Sequence, residues 1–571
     1  MDRKDVAAAL DEIAAYLELR GDDAFRVRAY RTAARAIAHF NGDLRTALRE
    51  GTLGELRGVG PTTQEVIADL LDTGRSATLA SLRDSIPPGL VAMLEVPGLG
   101  VAKVRQIHAA LRVDSVDELE AAARDGRLAR VPRFGPRTAE RVLRGIQYRR
   151  QIAEVRLLHH ARQDAAELTR ILEAVEGITR VAVAGSLRRG SELIRDLDFV
   201  VELRGDPAAL VERLGRLASV RESVHEQAVT LRFTSGAAVD VYWALPERFG
   251  FQLLTVTGNA GHLRALKARA EALGVTWSDE GLIQGGRLLP CPEEHDVYRV
   301  LALPFVPPEL REGDIEIELA AADALPHLVD TADLRGFLHC HSNYSDGVST
   351  IAQWAEACRA AGYTYLGITD HSQAALEAGG LGADDVPRQH AEIDAVNASL
   401  QGFRVLKGVE ADILPDGTLD YSADLRARFD FVIASVHTQL GMSERDMTER
   451  ILRAMDDRSM VILGHPTGRL LRSRNSYPVD LDAVFDKAAR TGIAIEINAD
   501  PQRLDLDWRS VRRAAAKGVT ISIGADAHGI TGMDNVGLGV TVARKGGLTA
   551  AQVLNTRSLA HFEAFAARRR R

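Results

Sequence analysis

Residues 184–202 read AGSLRRGSELIRDLDFVVE. The run Asp196-Leu197-Asp198-Phe199 alternates acidic and apolar residues, the period of a strand with one buried face. On such a strand Asp196 and Asp198 project to the same side, a costly like-charge arrangement unless cations neutralise it. A third carboxylate, Asp240, lies in AAVDVYW on a later strand. Three acids converging from two strands make a two-Mg²⁺ clamp for phosphoryl or nucleotidyl transfer. Upstream, Gly185 and Ser186 end a strand and open a turn where backbone N–H groups, the Ser hydroxyl and Arg189 can hold a triphosphate.

Working outward, TRVAVAG, DLDFVVEL, AVTLRF and AAVDVYW predict a mixed sheet over residues 151–249. A short α+β stretch follows, assigned to residues 250–315, and its end, PFVPPELREGD, is a Pro-rich and charged break. Residues 316–334 read as a connecting segment. Residues 1–150 read as helices throughout, divided at about residue 85. Three similar turns organise them: Arg57-Gly58-Val59-Gly60-Pro61, Pro97-Gly98-Leu99-Gly100 and Arg133-Phe134-Gly135-Pro136, each before an amphipathic helix. From 335 to the end, strands such as YLGITD, FDFVIAS, VILGH and TISIGAD alternate with helices, which favours parallel strands carrying functional residues at their C-terminal ends.

At 571 residues the chain is several domains long, and 46% hydrophobic with 26% charged residues is the composition of folded protein. A net charge of -8 excludes a chain-wide basic field, so nucleic-acid contacts must come from local patches. Cys291, Cys340 and Cys358 cannot form a disulfide framework. The amphipathic start has no signal-peptide core and no apolar run reaches bilayer length, so a cytoplasmic protein without membrane insertion is expected.

The densest signal is in the C-terminal part. His339 and His341 flank Cys340, and i, i+2 positions on a strand share a face, so both imidazoles can meet one metal. Asp526 and His528 repeat that spacing, while Asp346, His371, Glu410, His437 and His465 also lie near strand ends. Nine N/O ligands with no thiolate required suit two or three Zn²⁺, Mn²⁺ or Fe²⁺ ions. These residues resemble the PHP (polymerase and histidinol phosphatase) phosphoesterases, which implies a distorted (β/α)7 barrel over 335–571. The resemblance implies one metal on His339, His341, Glu410 and Asp526, a second on Glu410, His437 and His465, and a third on Asp346, His371 and His528.

The middle resembles the nucleotidyltransferase palm and thumb of family X DNA polymerases, the group that includes DNA polymerase beta. That resemblance implies Asp196 and Asp198 as ligands of both metals (Mg²⁺ or Mn²⁺) and Asp240 on the metal that activates the primer 3′-hydroxyl. Ser186, Arg189 and Gly190 would contact the β/γ-phosphates, and Gly258 would border the nucleotide sugar. Two departures stand out. Where the family carries a Tyr-Phe pair this chain has Thr255-Val256, which predicts weak exclusion of ribonucleotides, and Tyr242 stands where many relatives have Arg.

The three turns resemble helix-hairpin-helix modules, whose backbone N–H groups meet DNA phosphates, which makes Gly58, Gly60, Gly98, Gly100 and Gly135 candidate DNA contacts. Arg26, Arg28, Arg31 and Arg35 read as a phosphate-binding face or as a plain solvated helix, and the Arg568–Arg571 run is expected to touch DNA or form a loose tail. Alignment on Gly58-Val59-Gly60 puts Val66 where the lyase lysine of DNA polymerase beta would stand, so no lysine-based deoxyribose-phosphate lyase is expected. The whole chain looks like a monomeric bacterial family X polymerase acting on gapped or primer-template DNA and deoxynucleoside triphosphates, with a fused PHP domain for 3′→5′ exonuclease or 3′-end processing. The alternatives are a DNA-end phosphoesterase whose polymerase half only positions substrate, and a non-catalytic DNA-binding scaffold.

Overall fold

The computed structural model describes residues 3–38, 40, 44–56, 58–96, 98–153, 155–217, 220–225, 227–232 and 238–570. Arg57, Pro97, Phe233, Ala237 and Arg571, all named above, lie outside the described residues. The chain divides into two compact units, residues 1–153 and 154–571.

The first unit is helical and holds two cores. Leu10, Ile13, Leu17, Ile37, Ile67 and Leu70 anchor one, and Met93, Val104, Ile107, Leu119 and Ile146 anchor the other. Each hairpin tip buries its central hydrophobe, Val59, Leu99 or Phe134, and so fixes the turn while leaving the flanking backbone at the surface. Gly58 and Gly98 take left-handed φ of 83° and 87°, and Arg133 takes the same conformation at 68°. The third hairpin therefore keeps the backbone of the other two without their first glycine.

The second unit opens with β1 (Arg156–Leu157), which pairs with β3 (Leu193–Ile194). Its main sheet is built from β2 (Ile178–Val183), β4 (Asp196–Leu203), β5 (Val220–His225), β6 (Ala228–Arg232) and β7 (Ala238–Ala244), in the order β2-β4-β7-β6-β5. It is mixed, because β4 and β7 run parallel while the other pairs are antiparallel. A small sheet of β8 (Thr276–Ser278), β9 (Gly281–Gln284) and β10 (Arg287–Leu288) and the helices Phe249–Thr257, Ala260–Ala272 and Glu294–Val300 form the α+β element after it. The expected connector is itself packed here: Ala320 and Leu328 join the core of Phe251, Leu266, Tyr298 and Leu310.

Strands β11 (Gly336–Cys340), β12 (Tyr365–Ile368), β13 (Arg404–Asp412), β14 (Phe431–Ser435), β15 (Met460–Leu463), β16 (Ala494–Asn498) and β17 (Ile521–Ala527) close a parallel seven-stranded barrel. Nearly every strand residue is buried, as parallel strands covered on both faces require. At the strands' N-terminal ends, helix Leu559–Arg570 packs Phe562 against Tyr365 and Phe431. The terminal arginines depart from expectation: Arg569 donates to the carbonyls of Met460, Thr491, Met455 and Asp457, and Arg570 to that of Phe429. Thr491 closes one helix and Met455 caps another, so the Arg569 guanidinium fork is used for capping rather than held out for DNA.

Candidate active sites

In the sheet, parallel pairing of β4 with β7 sets Asp198 directly opposite Asp240, and β6 sets Thr230 opposite Asp240 from the other side. Thr230 Oγ1 donates to Asp240 Oδ1 at 2.5 Å, which fixes that carboxylate. Burial, then the charges of Asp196 and Asp240, push the Asp198 carboxyl up to about 7, with Arg189 pulling the other way. Burial and the same three acids push Tyr242 up to about 12. Gly185 abuts this cluster at φ +59°: a Cβ there would lie 1.7 Å from Asp198 Oδ2.

The turn that follows Gly185 is tied to two other parts of the unit. Arg188 makes a paired bond to Glu294 (2.8 and 2.6 Å) and reaches Thr257 Oγ1 at 2.8 Å. Arg189 donates to Glu312 Oε1 (3.0 Å) and the Thr257 carbonyl (2.7 Å). Ser186 accepts at its carbonyl from Ser191 N–H. Gly190 faces Thr541 of the barrel half, and Gly258 precedes Asn259, whose Oδ1 caps the next helix at His262 N–H (2.9 Å). Val256 packs against Ala184, Val200, Phe249 and Leu253.

At the C-terminal ends of the barrel strands, three groups of ligand atoms lie within 4.8 Å of one another: His339, His341, Glu410 and Asp526; His371, Glu410 and His437; and His341, Asp346, His371 and His528. Glu410 joins the first two groups and His341 and His371 each serve two. His465 Nε2 lies 2.9 Å from Glu410 Oε1, which places it at the edge of the second group. Regular strand alternation does not by itself produce this geometry. His339 has φ +61° and the register shifts between Leu338 and Cys340, so a bulge brings the two imidazoles to 5.4 Å between ring centres. Asp526 (φ 48°) and His465 (φ 22°) are also left-handed, so three of the candidate ligands sit on strained backbone.

The barrel residues fit divalent ions on their own chemistry. His339 Nε2, His341 Nδ1, His371 Nδ1, His465 Nδ1 and Glu410 Oε2 are buried without a well-directed hydrogen bond, His371 Nδ1 facing Glu410 Oε2 at 2.9 Å, so a bound ion would give these atoms the partner they lack. Burial and the neighbouring His371 and His528 lower His341 to about 4, keeping it in the neutral form that donates to a metal. Burial alone would raise Glu410, but His339, His371 and His437 hold it well below the usual carboxylate range. Burial would lower His339, and Glu496, Asp526 and Glu410 outweigh it.

Sequence reasoning missed the residues behind these ligands. Glu496 Oε1 takes His339 Nδ1 at 2.5 Å, while Oε2 accepts the His465 N–H at 2.7 Å, so one carboxylate aims two ligands. Gly524 leaves it room, since a Cβ there would be 1.9 Å from Glu496 Oε1. Asp412 holds His437 Nδ1, Asn498 Nδ2 holds Asp526 Oδ2 at 3.0 Å, and Arg503 Nε is 3.4 Å from the same oxygen. The available signal was a charged residue inside an apolar strand, as in Ala494-Ile495-Glu496-Ile497.

An acidic nucleotidyl-transfer sheet and a His/Asp/Glu phosphoesterase barrel in one chain define a two-centre, divalent-metal-dependent enzyme of nucleic-acid metabolism. Residues 1–76 match the helix-hairpin-helix domain family, 90–147 the SAM-like helix-hairpin-helix tandem, 252–312 the DNA polymerase beta thumb and 338–500 the PHP domain. Over 571 residues, 99% of each chain, the protein is 37% identical to DNA polymerase/3′-5′ exonuclease PolX of Bacillus subtilis (strain 168). The barrel half is also similar to a probable phosphatase of Syntrophotalea carbinolica, 27% identical over 233 residues, 38% of this chain and 90% of that one. The chain belongs to the PolX group of family X DNA polymerases.

Proposed function

We propose that the chain fills gaps in DNA by template-directed nucleotidyl transfer at Asp196, Asp198 and Asp240, and processes 3′ ends by phosphodiester or phosphomonoester hydrolysis at the barrel cluster. The observation that carries the reading is the coexistence, in one 571-residue chain, of acidic residues in parallel register and an eight-residue ligand cluster, with His465 at its edge, that holds buried polar atoms short of partners. Bound divalent ions supply charge neutralisation, polarisation of the phosphoryl centre and a lowered pKa for the attacking oxygen. The protein supplies their setting. Thr230 holds Asp240 to one orientation, Glu496 and Asp412 turn His339 and His437 toward Glu410, and the Gly185–Gly190 turn, with Arg189 held at Nε by Glu312 and at Nη1 by the Thr257 carbonyl, would offer its remaining donors to a triphosphate. Mg²⁺ or Mn²⁺ suits the all-carboxylate centre, and Zn²⁺, Mn²⁺ or Fe²⁺ suits the imidazole-rich one.

The hairpin tips at Gly58, Gly60, Gly98, Gly100 and Gly135 are assigned to DNA phosphates, which they would meet through the backbone without reading sequence. No helix among the described residues is long and apolar enough to cross a membrane. We place the protein in the cytoplasm as a monomer serving base-excision or break repair. The test is a time course on one-nucleotide-gapped DNA with a labelled primer, in Mg²⁺ and in Mn²⁺. Extension and shortening should both appear, Asp198→Ala should abolish only the first, and loss of both in a folded variant would refute two separate centres.

A further inference from the structure

Helix Val536–Lys545 belongs to the barrel half, yet its inner face meets the turn assigned above to the triphosphate. Thr541 takes a hydrogen bond from Arg162 Nη2 at 2.8 Å and touches Gly190, where a Cβ would come within 2.4 Å of Thr541 Cγ2. Gly190 is therefore demanded by this contact as well as by its φ of +68°. One turn further on, the Lys545 side chain is 1% exposed. Its Nζ donates to the Arg189 carbonyl at 3.0 Å, pairs with the Glu312 carboxylate and lies 5.1 Å from the Trp508 ring centre. Glu312 is the same carboxylate that holds Arg189 Nε at 3.0 Å. Flanking pairs, Arg544 with Glu309 (2.6 Å) and Arg469 with Glu192 (2.8 Å), keep the two halves in register.

We propose that Lys545, a residue of the barrel half, is a positioning residue for nucleotidyl transfer: by sharing Glu312 with Arg189 it leaves Arg189 electrostatically available to the incoming triphosphate. This rests on the reading that Arg189 contacts the triphosphate. The effect is one of charge. Two cations and one carboxylate leave a net positive charge at the turn, whereas Arg189 and Glu312 alone form a closed, neutral pair from which a phosphate would have to compete the guanidinium away. The Lys545 bond to the Arg189 carbonyl also pins the backbone of the turn.

Single-nucleotide insertion kinetics on gapped DNA with the full chain test this. Lys545→Met should raise the KM for the nucleotide roughly 10-fold or more with kcat within about twofold, because a charge-assisted bond to substrate is weakened while the acidic triad is untouched. Glu312→Gln should leave KM at or below the parent value, and Lys545→Met/Glu312→Gln should return it toward the parent, since the competing carboxylate is gone. Degradation of 3′ ends should persist in all three, which reports that the barrel half is folded. An unchanged KM in Lys545→Met, a Glu312→Gln variant with a tenfold higher KM, or a double variant worse than Lys545→Met would each overturn the proposal. Arg189→Ala separates the two layers: if it leaves KM unchanged, the triphosphate reading falls and this inference with it, and if it raises KM while Lys545→Met does not, only the inference falls.

Discussion

Gly185→Ala should disable the polymerase centre through a displacement that can be sized in advance. The added methyl would sit 1.7 Å from Asp198 Oδ2, 2.6 Å from its Cγ and 2.9 Å from its Cβ, against the 3.0 Å below which real Cβ contacts are essentially never found. The Asp198 carboxylate must therefore retreat by more than an ångström. It cannot do so freely, since the Asp198 carbonyl is bonded to Ala184 N–H at 2.8 Å and its strand is paired on both sides. A misplacement of about 1 Å in a reacting constellation costs on the order of 100-fold in rate. The left-handed φ of +59° adds roughly 1–2 kcal/mol of backbone strain for an L-residue, which a unit of this size can absorb. Steady-state insertion on gapped DNA should thus show kcat lowered about 100-fold, with 3′-end degradation retained. Gly274→Ala is the matched control: it has φ +69° and nothing within 4 Å, so it carries the strain without the clash. Retention of kcat within about fivefold in Gly185→Ala, or an equal loss in Gly274→Ala, would refute the steric argument.

Three further outcomes are expected. In chelator-treated protein the Asp198 carboxyl, raised to about 7 in the fold, binds its proton more tightly folded than unfolded, so its contribution to stability is full below about pH 4 and is lost as pH rises through about 7. Asp198→Asn should accordingly be more stable than the parent by about 2 kcal/mol at pH 8, roughly half the unscreened linkage value, and by nothing at pH 4; denaturant titrations showing no pH-dependent gain would count against the crowded triad. Glu410→Gln, which removes the carboxylate common to two ligand groups, should lower 3′-end degradation roughly 100-fold or more and reduce the bound metal measured by elemental analysis, while extension continues. No lysine-based lyase adduct should be trapped by borohydride within residues 1–85 on an incised abasic substrate, because Val66 is 4% exposed in the helical core and offers no amine.

Spacing along the chain was enough to place the chemistry on particular elements. Asp196 and Asp198 had to share a strand face, the glycine hairpins had to precede helices, and the recurrence of His and acidic residues after apolar strands had to gather them at one end of a parallel barrel, since these follow from periods of 2 and 3.6 residues. What spacing cannot carry is register and close approach. That Asp240 lies opposite Asp198, and Thr230 opposite Asp240, depends on how β4, β6 and β7 slide against one another. His339 and His341 converge through a bulge and a left-handed residue that regular alternation would not predict. Glu496 reaches His339 across 157 residues and Lys545 reaches Arg189 across 356, and Arg569 finds its carbonyls only where the closing helix crosses the strand ends. A residue's own neighbours fix which way it points, but whether a carboxylate finds a histidine, or an ammonium a carbonyl, is settled by the packing of distant elements, where burial makes every unpaired polar group costly and so selects the one arrangement that pairs them.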